Sequence, residues 1–228
     1  MLPRYRSKKE IIYEFLKQEI IHGVHAPGTR LVIDELSARL EVSQIPIREA
    51  IQQLEADGFI TTEPYVGARI TKIDAALVFE VFALLESYET ICSRKACYCA
   101  SEEDLATLTM MISEMDHLID DTEIWSEKNK AFHLFICDCA NTPLVHKMME
   151  KLFDHWDRLR LHYLKDVSGQ RTHVAQAEHH QLIEALRERN ADKVEKIIRS
   201  HNQSALQSYI RHLESQGLLH IKEEYTPC

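Results

Sequence analysis

The residues in this chain best suited to chemistry are histidines. There are thirteen, and helical periodicity separates those that face inward from those that do not. In the stretch before residue 140, Phe132, Ile136, Cys139 and Ala140 mark an apolar face, and Asn129 and His133 (i and i+4) stand side by side on its margin. In the stretch after Thr172, Ala175, Leu182, Ile183 and Leu186 mark a second face. His179 lies at its centre, while the helical period turns His180 about 100° away. Further on, Val194, Ile197, Ile198 and Ala205 flank His201. One inward histidine is ordinarily a hydrogen-bonded core residue. Three, on separate helices and with Asn129 beside one of them, form a set that can hold a divalent metal through neutral imidazoles. Packed core histidines are the alternative. The cysteines offer less. Cys92, Cys97, Cys99, Cys137, Cys139 and Cys228 include two C-x-C pairs but not the C-x2-C spacing of zinc knuckles. They read as small buried residues in a reduced compartment.

A second set of chemical groups lies near the N-terminus. Ile47, Ala50, Ile51 and Leu54 share one face of a helix, leaving Ile45, Arg48, Glu49 and Gln52 on the other. Arg48 can bond guanine or phosphate, and Gln44 or Gln52 can read adenine. The elements that would carry this face follow a recognisable order. Ser7 and Glu10 form a capping box for a helix ending at Gly23. Pro27-Gly28 marks a turn, and Leu31-Val32-Ile33 reads as a short strand. Asp34 caps a second helix and Ser43 a third, with Pro46 in its first turn and Gly58 at its end. Phe59 to Glu63, a Pro64 to Gly67 turn and Ala68 to Lys72 make a hairpin. This is the order of a winged helix-turn-helix, whose third helix enters the major groove. A protein-binding domain of the same fold is the bland alternative.

After Asp74 the pattern is helical throughout. Expected helices run from Asp74 to about Ala100, from Ser101 to about Asp120, and from Thr122 to Ala140. Others run from Thr142-Pro143 to about Asp166, from Thr172 to Arg189 and from Ala191 to about Ser215, with a loop at Val167-Ser168-Gly169. The fold class is thus mostly α: a winged helix-turn-helix over 1–73, then an antiparallel all-helical bundle over 74–228. Charge divides the same way. Residues 1–73 carry ten Lys/Arg against ten Asp/Glu, so the remainder carries the whole net charge of −9. With no long apolar run and a polar, basic start, the expected location is the cytoplasm, with no membrane partner.

The N-terminal motifs also resemble a known family. Gly23-x3-Pro27-Gly28-x2-Leu31, then EVSQIPIREAIQQLEADGFI, then Pro64-x2-Gly67, are similar to the GntR regulators of bacteria. Ser43, Pro46, Arg48, Glu49, Ala50, Leu54 and Gly58 fall in register with that family's pattern, although Gln44 and Ile45 stand where Arg and Thr are usual. The resemblance implies a DNA interface including Arg39, Ser43, Gln44, Ile45, Pro46, Arg48, Gln52 and Gly67. The second half resembles the FCD ligand-binding domain of the FadR subfamily: Asn129-x3-His133, Asn141, Glu178-His179 with Ala185, and His201. In that domain an Asp and three His bind a metal that holds a carboxylate effector. Asn129 here replaces the Asp, and Phe82 stands where many relatives have an effector-binding arginine. The implied site is a divalent metal (Zn, Ni or Mn) on Asn129, His133, His179 and His201. Arg158, Arg160 and Arg171 are the cations able to take the missing arginine's part, although they read more simply as a solvated helix face.

The whole reads as a DNA-binding transcription regulator, a repressor by family habit. It would be a homodimer on a palindromic operator and respond to a small-molecule effector. A metal-dependent enzyme and a non-sensing helical adaptor are the competing readings. Against an enzyme stand the lack of an H-E-x-x-H and the placing of Glu178 on another part of its helix from His179.

Overall fold

A computed structural model of the protein describes residues 7–63, 65–163, 165–215 and 217, with side chains of all of these except 163–170. Its contacts divide the chain into two compact units, Met1–Ile73 and Asp74–Cys228.

The first unit contains α1 (Lys8–Ile21), β1 (Arg30–Leu31), α2 (Ile33–Leu40), α3 (Gln44–Ala56), β2 (Ile60–Glu63) and β3 (Gly67–Ile70). The strands form one antiparallel sheet in the order β1-β3-β2, with Arg30 opposite Arg69 and Thr62 opposite Ala68. Ser7 and Glu10 close the capping box of α1. The core collects Leu16 and Ile20 from α1, Ile47, Ala50 and Leu54 from α3, and Phe59, Ile60 and Ile70 from the hairpin.

Three local expectations need correction here. The first strand is Arg30–Leu31 rather than 31–33, because Ile33 already turns into α2. Asp34 is not a cap. Val32 holds that position without a side-chain bond, and Asp34 sits in the first turn, where its charge suits the helix dipole. Ser43 has the extended backbone of an N-cap, but its side chain accepts no hydrogen bond. Pro64, expected in the hairpin turn, lies outside the described residues.

The second unit holds six helices among the described residues: α4 (Ala75–Cys99), α5 (Glu102–His117), α6 (Thr122–Cys139), α7 (Pro143–Tyr163), α8 (Lys165–Arg187) and α9 (Ala191–Ser215). Asp74 accepts from the Leu77 amide at 3.0 Å, Asp121 from that of Ile124 at 3.2 Å, and Ser101 closes a capping box with Asp104. At the far end of α8, Arg189 donates to the carbonyls of Cys97 and Ala100 at 3.2 and 2.7 Å, satisfying the C-terminus of α4. The loop expected at Val167-Ser168-Gly169 is helix instead, since α8 starts at Lys165. A lone helical glycine costs only about 1 kcal/mol against alanine, and no proline enforces a break. Cys92, Cys97, Cys137 and Cys139 fill the core, as expected, but Cys99 is exposed; Cys228 lies outside the described residues. Burial raises the Cys97 thiol and pushes Cys139 up to about 12, so neither is a ready thiolate.

The serines at the N-caps of α3 and α5 are therefore not equivalent. Ser101→Ala should cost about 1 kcal/mol through its lost cap. Ser43→Ala should leave stability nearly unchanged. Urea unfolding of the two variants checks this, and equal losses would contradict it.

Candidate functional site

In the N-terminal unit the site is the outer face of α3. Ile47, Ala50, Ile51 and Leu54 are buried, which turns Gln44, Ile45, Arg48, Glu49 and Gln52 to solvent. Ile45 is 68% exposed, unusual for a β-branched apolar residue. A relay steadies this face: Gln44 Nε2 donates to Asp34 at 2.5 Å, and Arg48 Nη2 donates to Gln44 Oε1 at 3.2 Å. Pro46 is half-buried in the first turn. Arg39 is engaged within its own unit, where its two Nη atoms reach Glu19 at 3.0 and 2.7 Å and its guanidinium lies over the Phe15 ring. Gly67 begins β3 with φ +97, a conformation open to glycine, and a Cβ there would meet the Arg30 guanidinium at 3.7 Å. Arg30 is thus an exposed cation beside the hairpin that the sequence reading passed over. Only strand pairing brings it there, through Arg30–Arg69 and Leu31–Ala68.

In the C-terminal unit α6, α8 and α9 bring His133, His179 and His201 together. Their ring centroids lie 5.1–5.5 Å apart, and one ligating atom from each falls within 4.8 Å of the others. Among the described residues no other group of three His, Cys, Asp or Glu has this closeness. His133 and His179 are buried and His201 is nearly so. Asn129, expected on the margin of its helix, is buried beside them. His180 points to solvent and contacts Asp116 at 2.9 Å, as the helical period requires.

The hydrogen bonds fix what these rings can do. Glu178 Oε2 accepts from His201 Nδ1 at 2.7 Å, which leaves Nε2 of that ring as the free lone pair. Glu178, which the sequence places on another part of its helix from His179, therefore still serves the cluster through its neighbour. Glu89 Oε1 lies 3.4 Å from His133 Nδ1. His133 Nε2, both ring nitrogens of His179 and Asn129 Oδ1 are buried with no hydrogen-bond partner among the described residues. Each such atom costs about 1–3 kcal/mol if left unsatisfied. Burial pushes His133 down to about 4, against an opposing pull from Glu89. Burial, and then the nearby His201 and His133, hold His179 well below its usual value. Both rings are therefore neutral near pH 7, the form in which imidazole ligates a metal.

A cavity of about 50 Å³ opens beside the cluster. Asn129, His133 and His201 line it together with Glu89, Arg160 and Arg171. The arginines are not the solvated face that their sequence suggests: Arg158, Arg160 and Arg171 are 1%, 7% and 8% exposed. The long amphipathic helices α7 and α8 turn these positions inward. Arg158 is not part of the cavity lining. Arg171 Nη2 donates to Glu178 at 2.6 Å and to the His201 carbonyl at 2.9 Å. Its Nε and Nη1, and Nε of Arg160, are buried without partners among the described residues. Burial alone would raise Glu178, but hydrogen bonds from His201 and Arg171 outweigh it and leave that carboxyl below its ordinary range. Phe82 closes one wall and packs on Tyr209 with ring centroids 5.3 Å apart.

Comparison with known proteins places both units. Residues 8–70 match the model of the gntR family of bacterial regulatory proteins, and residues 79–204 match the FCD domain. The chain is 28% identical over 215 residues to the HTH-type transcriptional repressor RspR of Escherichia coli (strain K12), spanning 93% of each protein. It is 27% identical over 211 residues to the transcriptional regulator YdhC of Bacillus subtilis (strain 168), spanning 90% of this chain and 92% of that one. The solved structure of E. coli McbR/YncC shares the fold with a TM-score of 0.72 at 18% identity, over 91% of this chain and 99% of the other. These proteins are regulators and not enzymes, and among the described residues no helix is long and apolar enough to cross a membrane. With its two units matched in order and over most of their lengths, the chain belongs to the GntR family of bacterial transcriptional regulators, of the type that carries an FCD domain.

Proposed function

We propose that this regulator represses transcription from a palindromic operator, and that its DNA affinity is set by a small anionic effector held beside a divalent metal in the helical unit. The observation that carries the sensing half is the convergence of buried groups that have no hydrogen-bond partner among the described residues. Asn129 Oδ1, His133 Nε2 and the nitrogens of His179 are oxygen and nitrogen lone pairs of the kind a first-row divalent ion takes. His133, His179 and His201 would hold the ion, with the neutral amide of Asn129 as a fourth ligand. A bound ion supplies a Lewis-acid position for an effector oxygen. The chain's own contribution is the guanidinium pair Arg160 and Arg171, whose unpaired N–H groups border the same small cavity and suit a carboxylate. Arg158, the third candidate, is left to a packing part. Sensing needs only that the effector favour one arrangement of the helices over another, a coupling typically of about 1–3 kcal/mol. Only Thr71 to Asp74 separate β3 from α4 in the chain, so α4 is the element best connected to carry such a shift.

On DNA, Arg48, Gln44 and Gln52 are the base-reading candidates, and Ile45 is suited to a thymine methyl. Ser43, Pro46 and Gly67 shape the backbone approach. Arg30 is a phosphate contact. Arg39 can exchange its exposed pair with Glu19 for a phosphate at little cost, since such surface pairs contribute about 0–1 kcal/mol. The repressor assignment follows the naming of RspR as a repressor. Two-fold pairing is supported by a stripe on α4, where Leu84, Ile91 and Tyr98 recur every seven residues and are 36%, 49% and 74% exposed.

Three outcomes follow. Arg48→Ala should weaken operator binding by about 1–3 kcal/mol and relax preference at one base pair. Fluorescence anisotropy with single-position operator variants reads both, and unchanged affinity would remove Arg48 from the groove. His179→Ala should lose bound metal whereas His180→Ala keeps it. Elemental analysis of the two proteins decides this, and equal stoichiometric metal in both would return the histidines to core packing. Ile91→Glu should shift the protein from dimer to monomer in sedimentation equilibrium, and an unshifted dimer places the interface elsewhere.

A further inference from the structure

One buried group at this centre has no part in ligation or in anion binding as described so far. Glu89 is 4% exposed, and among the described residues it is the one fully buried carboxylate. It sits on the inward face of α4 with Phe82 and Leu85, on the wall of the same cavity. Oε2 accepts from Asn202 Nδ2 of α9 at 2.7 Å, and Oε1 faces His133 Nδ1 of α6. A helix-to-helix clamp would need only the first contact, which a neutral amide could make as well. A carboxylate costs several kcal/mol to desolvate and is kept where a positive charge balances it. The partner at hand, His133, is an imidazole, which ligates a metal in its neutral form. Three neutral imidazoles and a neutral Asn129 would, in turn, leave a divalent ion without any anionic neighbour among its ligands.

We infer that Glu89 is the anionic positioning residue of the metal centre. It accepts the Nδ1 proton of His133, fixes that ring with the Nε2 lone pair toward the ion, and supplies the negative charge that Asn129 does not. This rests on the metal reading above and adds a residue to it. Glu89 and His133 then mirror Glu178 and His201, so that two of the three rings are set by carboxylates from neighbouring positions in the bundle. A glutamine at 89 cannot replace it. If its carbonyl takes the Asn202 bond, its NH2 donates to His133 Nδ1 and forces the proton onto Nε2, the atom needed for the ion.

The test uses metal-free full-length protein titrated with Co2+ against a competing chelator, with the visible absorption band as a second readout. Glu89→Gln should weaken Co2+ binding by about tenfold to a hundredfold and alter the band. Its metal-free unfolding midpoint should hold or rise, because a buried charge has been removed. Adding Asn129→Asp to Glu89→Gln should recover binding by returning the charge to the ligand set. Co2+ affinity within about twofold of wild type, with an unaltered band, overturns the inference. So does a double variant no better than Glu89→Gln alone. Wild-type protein gives a readout that needs no variant: imidazole 15N shifts of the metal-free chain should report His133 as the Nδ1–H tautomer, and Nε2–H overturns the assignment. A wild-type chain that takes up no Co2+ overturns the metal reading and this one with it. Normal uptake by both wild type and Glu89→Gln overturns this one alone.

Discussion

The C-terminal unit depends on how six helices can bury three imidazoles and an amide at one point without hydrogen bonds for all of them. Asn129 Oδ1, His133 Nε2 and both nitrogens of His179 are shut from water and unpaired among the described residues. At about 1–3 kcal/mol each, they take up a large share of the 5–15 kcal/mol that keeps a typical domain folded. A sequence under pressure for stability alone would fill these positions with leucine or phenylalanine. Burial keeps His133 and His179 neutral, and aromatic surfaces pack against them, with His179 nearly parallel to Trp125 at 5.8 Å and tilted over Phe132 at 5.1 Å. That packing holds each ring still while leaving its lone pairs open, a combination suited to a ligand that arrives later.

The surrounding structure makes this arrangement rigid enough to matter. Each helix that feeds the cluster is pinned somewhere else. Asp121 begins α6, Trp125 Nε1 donates to Gln176 of α8 at 3.1 Å, and Gln176 donates on to Asp116 and the Ile112 carbonyl of α5. At the other end, Arg94 of α4 meets Asp192 at 2.9 Å on α9, close to where Arg189 closes the last turn of α4. The bundle is therefore held by an apolar core and by polar bonds both at its ends and beside the cluster. The same logic governs α3, whose buried side is wholly aliphatic and whose exposed side is held in place by the Asp34, Gln44 and Arg48 relay.

Much of this was legible in the residues. Helical periodicity alone separated His179 from His180 and set Gln44, Arg48 and Gln52 opposite Ile47 and Leu54, because burial of an amphipathic helix leaves little choice of face. Periodicity failed where the two sides of a helix are both covered. Arg158, Arg160 and Arg171 read as surface because arginine usually is, yet α7 and α8 lie deep enough in the bundle to bury all three. Glu89 was invisible for the same reason. Its position on α4 is inward by the spacing of Phe82, Leu85 and Cys92, but only tertiary contact shows that His133 and Asn202 are there to receive it. Arg30 was missed because its place beside the wing comes from strand pairing across forty residues of chain, from Arg30 to Arg69. The false loop at Val167-Ser168-Gly169 gave too much weight to a single glycine.

The two departures from the FCD pattern make better sense together than apart. The FCD pattern that the chain resembles has an arginine where Phe82 stands and an aspartate where Asn129 stands. Losing one of each leaves the formal charge of the pocket unchanged but removes both chemical handles, a cation for the effector and an anion for the ion. Under the proposed reading each handle would have a substitute on a neighbouring helix: Arg160 and Arg171 on α7 and α8 for the first, and Glu89 on α4 for the second, all of them buried and lining the cavity. Where that pattern has its cation, the Phe82 ring packs on Tyr209 and lines the cavity of about 50 Å³. Moving charges between helices would keep both a cation and an anion beside a buried ion, and would change the shape of what can reach it. Specificity in such a bundle can then drift while the fold, the capped helix ends and the histidine cluster stay as they are.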